Sequence, residues 1–244
     1  MLYGLHAVRE ALRAGSRPLQ RLLVQRTDRQ FAELVEQAKG QRIPVHVEPA
    51  PAFDRLVPDG KHQGVIAFVA AKAYSSAEEI LQLARDKAEP PFVVILDGVE
   101  DPHNLGAIIR TAEAAGVHGI FIPERRAAGL TAVVGKTSAG ALEHMLIARV
   151  VNLSRLMKDL KEAGLWIYGV QPAAPVEFTA VDLTGPVALV FGGEGGGIRH
   201  GVGLACDGLV RISMKGKVGS LNVGAAVAVT LFEAVRQRQL SSKT

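Results

Sequence analysis

The chain has 244 residues, 48% of them hydrophobic and 21% charged, which is enough apolar material for one large or two small globular domains. A single cysteine, Cys206, excludes an internal disulfide and a cysteine-rich zinc site, and we expect it to pack rather than to act as a nucleophile. No apolar run reaches the about 18 to 20 residues of a membrane-spanning helix, and the first residues lack the apolar stretch of a signal peptide. These features predict a cytoplasmic protein without a membrane partner.

The net charge of +4 lies in the N-terminal third of the chain. Residues 1–72 contain 11 Lys and Arg against 7 Asp and Glu, whereas residues 73–244 contain 17 of each. A basic segment joined to a neutral one favours a polyanion, such as a nucleic acid, as the partner of the first segment. An ordinary solvated surface explains the same charge equally well.

Residues 1–72 alternate between helical and strand patterns, which predicts a small α/β domain. Residues 73–91 are interpreted as the connection to a second domain, with a helix that begins at a capping box of Ser75 or Ser76 with Glu78 or Glu79. The predicted elements of the first domain are a helix at His6–Ala14 ended by Gly15, a strand at Leu19–Val24, a helix at Gln30–Lys39 ended by Gly40, and strands at Val45–Val47 and Val65–Val69.

Residues 92–244 predict a second α/β domain with a mostly parallel sheet and helices on both faces. The apolar run Phe92–Leu96 is typical of a strand buried on both faces. The last helix is apolar nearly all round, so we expect it to pack into its own domain and against a second subunit. The further predicted strands are Gly119–Ile122, Met145–Val150, Leu165–Val170, Val187–Phe191 and Val210–Ile212; the predicted helices are Asn104–Ala115, Leu153–Ala163 after an Asn152 cap, and Leu221–Gln239.

Three segments of this second domain combine small or glycine residues with polar side chains: residues 104–110, 191–197 and 212–222. Each follows a predicted strand. Ligands of parallel sheets bind beyond the carboxyl ends of the strands, so the three segments are predicted to form one site.

The middle segment contains five glycines among residues 192–197, interrupted by Glu194. Such a loop presents backbone amides and carbonyls to a ligand. No Gly-Lys-Ser/Thr ending follows it, and no Gly-x-Gly-x-x-Gly follows the first strand, so nucleoside triphosphate and dinucleotide sites are weakly supported. A carboxylate among the glycines would repel phosphates but suits a cationic ligand or an arginine.

The outer segments carry the remaining polar side chains. Asn104 lies at a predicted helix N-terminus, and Arg110 follows Ala107-Ile108-Ile109, where a buried guanidinium is costly unless it pairs with an acid or a phosphate. Ser220 fits the N-cap of the last helix as well as a functional role.

These segments resemble the three motifs of the SpoU branch of the SPOUT RNA methyltransferases. Tyr3-Gly4-Leu5-His6-Ala7-Val8 and His62-Gln63-Gly64-Val65 resemble the substrate domain of the bacterial family members that methylate guanosine 2′-hydroxyls in 23S ribosomal RNA. The similarity covers nearly the whole chain. The chain departs from the family at Ser213, where proline is usual, and at the variable position Gly193.

The resemblance implies a trefoil-knotted SPOUT domain over residues 92–244, an N-terminal RNA-binding domain of the L30e type over 1–72, and a homodimer that acts on 23S ribosomal RNA. It implies S-adenosylmethionine as the cofactor and no metal, which agrees with methyl transfer to a ribose hydroxyl, a reaction that needs alignment and proton removal. The implied catalytic residues are Asn104, Arg110, Glu194, Ser220 and Asn222, and the implied cofactor-binding residues are Gly192, Gly193, Ile212, Met214 and Leu221.

Other interpretations remain open from the sequence. The chain could methylate transfer RNA, could be a ribosomal RNA methyltransferase of the thiostrepton-resistance type, or could be a non-enzymatic RNA-binding or ribosome-assembly protein. His62 and His103 suit base stacking or proton transfer, but solvated loop histidines are commoner. Lys215 and Lys217 fit RNA phosphate contacts or plain solvation equally well.

Overall fold

The structure is a computed structural model of the chain and describes residues 1–58 and 61–241. Two compact units are present. The first comprises Met1–Ala73 and Gly129–His144, and the second comprises Tyr74–Ala128 and the described residues from Met145 onward. In chain order the elements are β1 (Leu2–Tyr3), α1 (Leu5–Ala14), β2 (Leu19–Val24), α2 (Arg29–Gly40), β3 (Val45–Val47), α3 (Ala50–Leu56), β4 (Val65–Val69), α4 (Ala77–Asp86), β5 (Phe92–Asp97), α5 (Pro102–Ala114), β6 (Gly119–Pro123), α6 (Ala132–Thr137), β7 (Leu146–Val150), α7 (Leu153–Glu162), β8 (Trp166–Val170), β9 (Val176–Glu177), β10 (Val187–Gly192), α8 (His200–Leu204), β11 (Gly208–Arg211) and α9 (Val223–Ser241), with 3₁₀ turns at Ala141–Glu143 and Phe178–Ala180.

The first unit is built on a four-stranded sheet of order β1-β4-β2-β3. Strand β4 is antiparallel to both of its neighbours, and β2 is parallel to β3. The predicted strands β2, β3 and β4 are confirmed at their predicted bounds, and α1 ends at Gly15, whose φ of 57° is left-handed. Helix α2 includes Gly40 as its last residue instead of stopping before it. The sequence patterns did not predict β1 or α3.

A buried ion pair holds residues 129–144 within the first unit. The Arg17 guanidinium donates to both carboxylate oxygens of Glu143, at 3.0 Å from Nε and 2.5 Å from Nη2, and the Ser16 hydroxyl donates to the same carboxylate at 2.8 Å. Lys72 Nζ donates to the Glu143 backbone carbonyl at 3.0 Å. The side chains of Arg17 and Glu143 are only 8% and 1% exposed, so each charge depends on the other for its solvation.

We expect Arg17→Met to destabilise the chain by about 3–5 kcal/mol, because it leaves the buried Glu143 carboxylate without its counter-ion. Arg13→Met is the matched control, since Arg13 is half-exposed in its pairs with Glu10 and Glu33, and it should cost less than about 1 kcal/mol. Equilibrium urea unfolding followed by circular dichroism measures both changes. Equal effects of the two substitutions would contradict the importance of the buried pair.

The second unit contains a seven-stranded sheet of order β7-β6-β5-β10-β8-β11-β9. Each pair of neighbouring strands is parallel, which confirms the predicted α/β architecture. Strand β5 is buried along its whole length, as the apolar run predicted. The sequence patterns missed the short elements β9, α6 and α8.

The borders of the two units differ from the predicted domain borders in two places. The segment 73–91 was expected to be a connection, but Ile80 of α4 is fully buried in the core of the second unit and Ser75 bridges to Ala148 of β7. Residues 129–144 were expected in the second domain and lie in the first unit. The capping box that starts α4 is confirmed at Ser76 and Glu79, and Asn152 caps α7 as predicted.

The last helix, α9, packs on α5 through one face. Its residues Val227, Leu231 and Ala234 are fully buried, whereas Val229 and Phe232 are 41% and 49% exposed. The helix therefore carries apolar side chains on two faces, of which its own chain covers one. Within the described part of the chain, no helix is long and apolar enough to cross a membrane.

Candidate functional site

A cavity of about 620 Å³ opens in the second unit beyond the carboxyl ends of the neighbouring strands β10, β8 and β11. This is the edge of a parallel sheet at which ligands bind. The lining residues are Val170, Gln171, Pro172, Phe191, Gly192, Gly193, Glu194, Gly195, Gly196, Gly197, Ile212, Met214, Gly219, Ser220, Leu221, Asn222, Val223 and Ala226. The second and third sequence motifs thus form most of its wall.

The glycine loop at the end of β10 is shaped by close backbone approach. A Cβ on Gly192 would lie 1.9 Å from the Gly197 carbonyl carbon, and a Cβ on Gly193 would lie 1.8 Å from the Gly98 oxygen. Gly193 also donates its backbone N–H to the Asp97 carbonyl at 2.9 Å. Any side chain at these two positions would therefore collide with backbone atoms, which cannot move aside cheaply.

Asp97, at the end of β5, anchors the far side of the same loop. Its side chain is fully buried and accepts two hydrogen bonds from Arg199, from Nε at 2.7 Å and from the backbone N–H at 2.8 Å. The Nη2 atom of Arg199 also lies 2.6 Å from Asp97 Oδ1, which completes an ion pair. Sequence reasoning missed both residues. The sequence feature that could have identified Asp97 is its position at the end of a strand buried on both faces, because a charge buried there needs a partner.

We expect Gly193→Ala to destabilise the second unit by about 1–3 kcal/mol or more, because the added methyl group overlaps the Gly98 carbonyl. Gly196→Ala is the control in the same loop, since a methyl group added there would have nothing within 4 Å, and it should change stability by less than about 0.5 kcal/mol. Urea unfolding of the two variants decides the point. A well-folded Gly193→Ala protein of unchanged stability would contradict the close-approach argument.

A chain of side-chain hydrogen bonds joins the three motifs. Asn104, in the first turn of α5, donates its amide N–H to Glu194 Oε1 of the glycine loop. Asn222 Nδ2 donates to Asn104 Oδ1 at 3.0 Å, and Asn222 Oδ1 accepts from the Gly224 backbone N–H at 2.9 Å. Three of the five predicted catalytic residues are therefore brought together, as the position of the motifs after the strands predicted.

Two details of the helix termini correct the sequence interpretation. Asp101 caps α5, through a 2.8 Å bond from the His103 N–H, so Asn104 is free to point its amide into the network. Asn222 rather than Ser220 caps α9, because the Asn222 carbonyl and side chain accept from the first N–H groups of the helix. Ser220 lies in the cavity wall two residues earlier.

Arg110 does not join this network. Ile108 and Ile109 point inward from α5, but Ala107 and Arg110 are exposed, so the expectation of a guanidinium buried among apolar neighbours is wrong. Arg110 lies six positions after Asn104 in the helix, about 9 Å along the axis. Among residues 1–58 and 61–241, Arg110 has no hydrogen-bond or ion-pair partner.

The five residues predicted to bind the cofactor, which are Gly192, Gly193, Ile212, Met214 and Leu221, all line the cavity. The sequence patterns missed the wall formed by Val170, Gln171 and Pro172 after β8. Nothing in the composition of these three residues marks them, because only the strand order brings β8 between β10 and β11.

The histidine and cysteine candidates have different surroundings. His62 is buried, accepts from the Gly64 N–H through Nδ1 at 3.0 Å and packs on the Phe53 ring, so it holds its turn together. His103 is exposed. Burial raises the pKa of the Cys206 thiol to about 11, which agrees with the packing role expected for it.

The described residues contain no group of three or more His, Cys, Asp or Glu side chains arranged to hold a metal ion.

Two matches to known families together cover most of the chain. Residues 91–232 match the SpoU rRNA methylase family, and residues 1–75 match the substrate-binding domain of RNA 2′-O ribose methyltransferases. The chain belongs to the SpoU family of RNA methyltransferases. It is therefore an RNA methyltransferase with a substrate-binding domain at its N-terminus.

Individual members of the SpoU family match along nearly their full lengths. The chain is 43% identical over 241 residues to the 23S rRNA (guanosine-2′-O-)-methyltransferase RlmB of Shewanella oneidensis, with 98% of each chain covered. The solved SpoU methyltransferase AviRb of Streptomyces viridochromogenes, in complex with S-adenosylmethionine, matches with a TM-score of 0.82 and 26% identity over 98% of this chain and 89% of that one. An S-adenosylmethionine-bound rRNA methyltransferase of Sinorhizobium meliloti matches with a TM-score of 0.78 and 26% identity over 96% of this chain and 85% of that one.

Proposed function

We propose that this SpoU-family chain transfers the methyl group of S-adenosylmethionine to the ribose 2′-hydroxyl of a guanosine in 23S ribosomal RNA. The similarity to RlmB over 98% of both chains supports the substrate. The observation that carries the chemistry is the Glu194–Asn104–Asn222 network beside a glycine-lined cavity. Since that substrate is ribosomal RNA of bacterial cells, the enzyme works in the cytoplasm.

The cavity fits S-adenosylmethionine by size and by chemistry. Its volume of about 620 Å³ falls among the about 300–1,000 Å³ of small-molecule sites. The glycines offer unobstructed backbone groups to the polar edges of the cofactor, and Ile212, Met214 and Leu221 offer apolar surface to its adenine ring. Glu194 adds a negative charge to the cavity lining, which suits a cationic ligand such as a sulfonium. Residues Gly192, Gly193, Ile212, Met214 and Leu221 would hold it.

The polar side chains act on the ribose. When bound, S-adenosylmethionine supplies an electrophilic methyl group on a sulfonium. Asn104, whose amide is oriented by Glu194 and Asn222, holds the ribose hydroxyl in line with that methyl group. Arg110 binds the neighbouring phosphate and helps to activate the hydroxyl, and Ser220 positions the substrate from the cavity wall. Residues 1–72, with their excess of basic side chains, bind the surrounding RNA.

A second copy of the chain completes the site. The exposed apolar residues Val229 and Phe232 on α9 leave a surface for a partner, and Arg110 lies exposed on α5, the helix that packs on α9. A two-fold dimer through this surface brings Arg110 of one protomer toward the cavity of the other. The trefoil knot of the second domain and the L30e-type fold of the first domain belong to the same proposal.

We expect Asn104→Ala and Arg110→Ala each to lower the methylation rate at saturating RNA by about 100-fold or more, because each removes a group that aligns or activates the hydroxyl. Arg155→Ala, at an exposed site on α7, is the control and should keep the wild-type rate. The assay follows transfer of a radiolabelled methyl group to ribosomal RNA, with mass-spectrometric mapping of the methylated nucleotide. Wild-type methylation by Arg110→Ala, or transfer RNA as the preferred substrate, would contradict the proposal.

Complementation tests the composite site. Mixing Asn104→Ala and Arg110→Ala chains under conditions of subunit exchange should restore about a quarter of the wild-type activity, because half of the dimers then contain one intact site of two. Activity that stays at the level of the separate variants would show that each protomer supplies both residues to its own site.

A further inference from the structure

The cavity has two walls that come from neighbouring strands. One wall, residues 170–172, begins at the last residue of β8, and the other, residues 212–214, follows β11. Residues 212–222 form neither helix nor strand, so the backbone ladder does not hold the second wall in place. Side chains must supply part of that restraint.

Arg211 ties the two walls together at the last residue of β11. Its Nη1 donates to the carbonyls of Ala174 and Pro175 at 2.9 and 2.8 Å, which lie in the loop that follows the first wall. Its Nε donates to Glu177 Oε1 at 2.9 Å, and Arg211 is the register partner of Glu177 in the β9–β11 ladder. One guanidinium therefore joins three residues of the segment 174–177 to β11.

Ser213 adds the contact that reaches the cavity wall itself. Its hydroxyl donates to Glu177 Oε1, the same oxygen that accepts from Arg211. The hydrogen bond from the Ser213 hydroxyl, helped by the Arg211 charge, holds the pKa of Glu177 below its usual value. Ser213 lies between Ile212 and Met214, both of which line the cavity.

The irregular segment is thus held at its two ends by side chains. Asn222 bonds to Asn104 at one end, and Ser213 bonds to Glu177 at the other. Between these two points lie Gly216 and Gly219, where an added Cβ would meet nothing within 4 Å. Loss of either side-chain contact frees one end of the segment.

We propose that Glu177 is a positioning residue for S-adenosylmethionine: through Ser213 and Arg211 it holds Ile212 and Met214 at the spacing that the cofactor needs. This inference rests on the proposed function, since it assumes that the cavity binds this cofactor. Glu177 does not line the cavity and acts only through its two hydrogen-bond donors.

The test measures the Kd of S-adenosylmethionine by isothermal titration calorimetry for the full chain, with thermal unfolding in parallel. Ser213→Ala should weaken binding about three- to tenfold, the effect of one lost hydrogen bond, and Glu177→Ala, which removes the acceptor of the same bond, should weaken it at least as much, while the midpoint of thermal unfolding stays close to wild type. Ser213→Thr keeps the hydroxyl and should restore wild-type binding. Glu162→Ala, in an exposed ion pair on α7, is the control and should leave the Kd unchanged.

The double variant Ser213→Ala/Glu177→Ala should bind no more weakly than the weaker single variant, because both changes remove one shared contact. Additive losses, unchanged binding in the single variants, or weakening that Ser213→Thr does not rescue would overturn the inference. If the wild-type protein does not bind S-adenosylmethionine, the proposed function is wrong. If wild type and variants all bind it tightly, the proposed function stands and the role of Glu177 is wrong.

Discussion

The structure of the site depends on the close approach of two backbones at the carboxyl edge of the parallel sheet. The loop after β10 can lie against the loop after β5 only because Gly193 has no side chain beside the Gly98 carbonyl. The Arg199–Asp97 pair then holds the loop in this position, with the charge of a fully buried carboxylate balanced by a guanidinium. The cavity, and the position of Glu194 at its edge, follow from this packing.

The polar side chains next to this packing each have a fixed orientation, because their hydrogen-bond partners determine which group donates and which accepts. The Asn104 amide donates to Glu194 and accepts from Asn222. The side-chain oxygen of Asn222 accepts from a backbone N–H at the start of α9. The network therefore couples the glycine loop, α5 and α9 through side-chain amides whose orientations are set by their partners. In the proposed reaction, a substrate hydroxyl would meet groups that are already oriented, which would lower the cost of alignment.

The long strands could be predicted from their continuous apolar runs, which indicate burial on both faces. The assembly of the three motifs into one site could be predicted because each motif follows a strand in the sequence. The exposure of Arg110 could not be predicted from its neighbours. The apolar residues Ile108 and Ile109 suggested that it is buried, but the geometry of the α-helix turns them inward and turns Arg110 toward solvent. The residues 129–144 lie in the first unit through the long-range pair Arg17–Glu143, for which the sequence holds no local signal. Likewise β9 is two residues long, and its role appears only through Arg211 and Glu177.

Hydrogen–deuterium exchange with and without S-adenosylmethionine tests most directly whether this cavity is the cofactor site. Binding there should slow exchange in peptides that contain residues 191–197 and 212–223, because their amides line the cavity or lie in its wall. Peptides from β2 and β4 of the first unit should exchange at unchanged rates. Protection confined to the first unit, or none in the two cavity segments at saturating cofactor, would contradict the account.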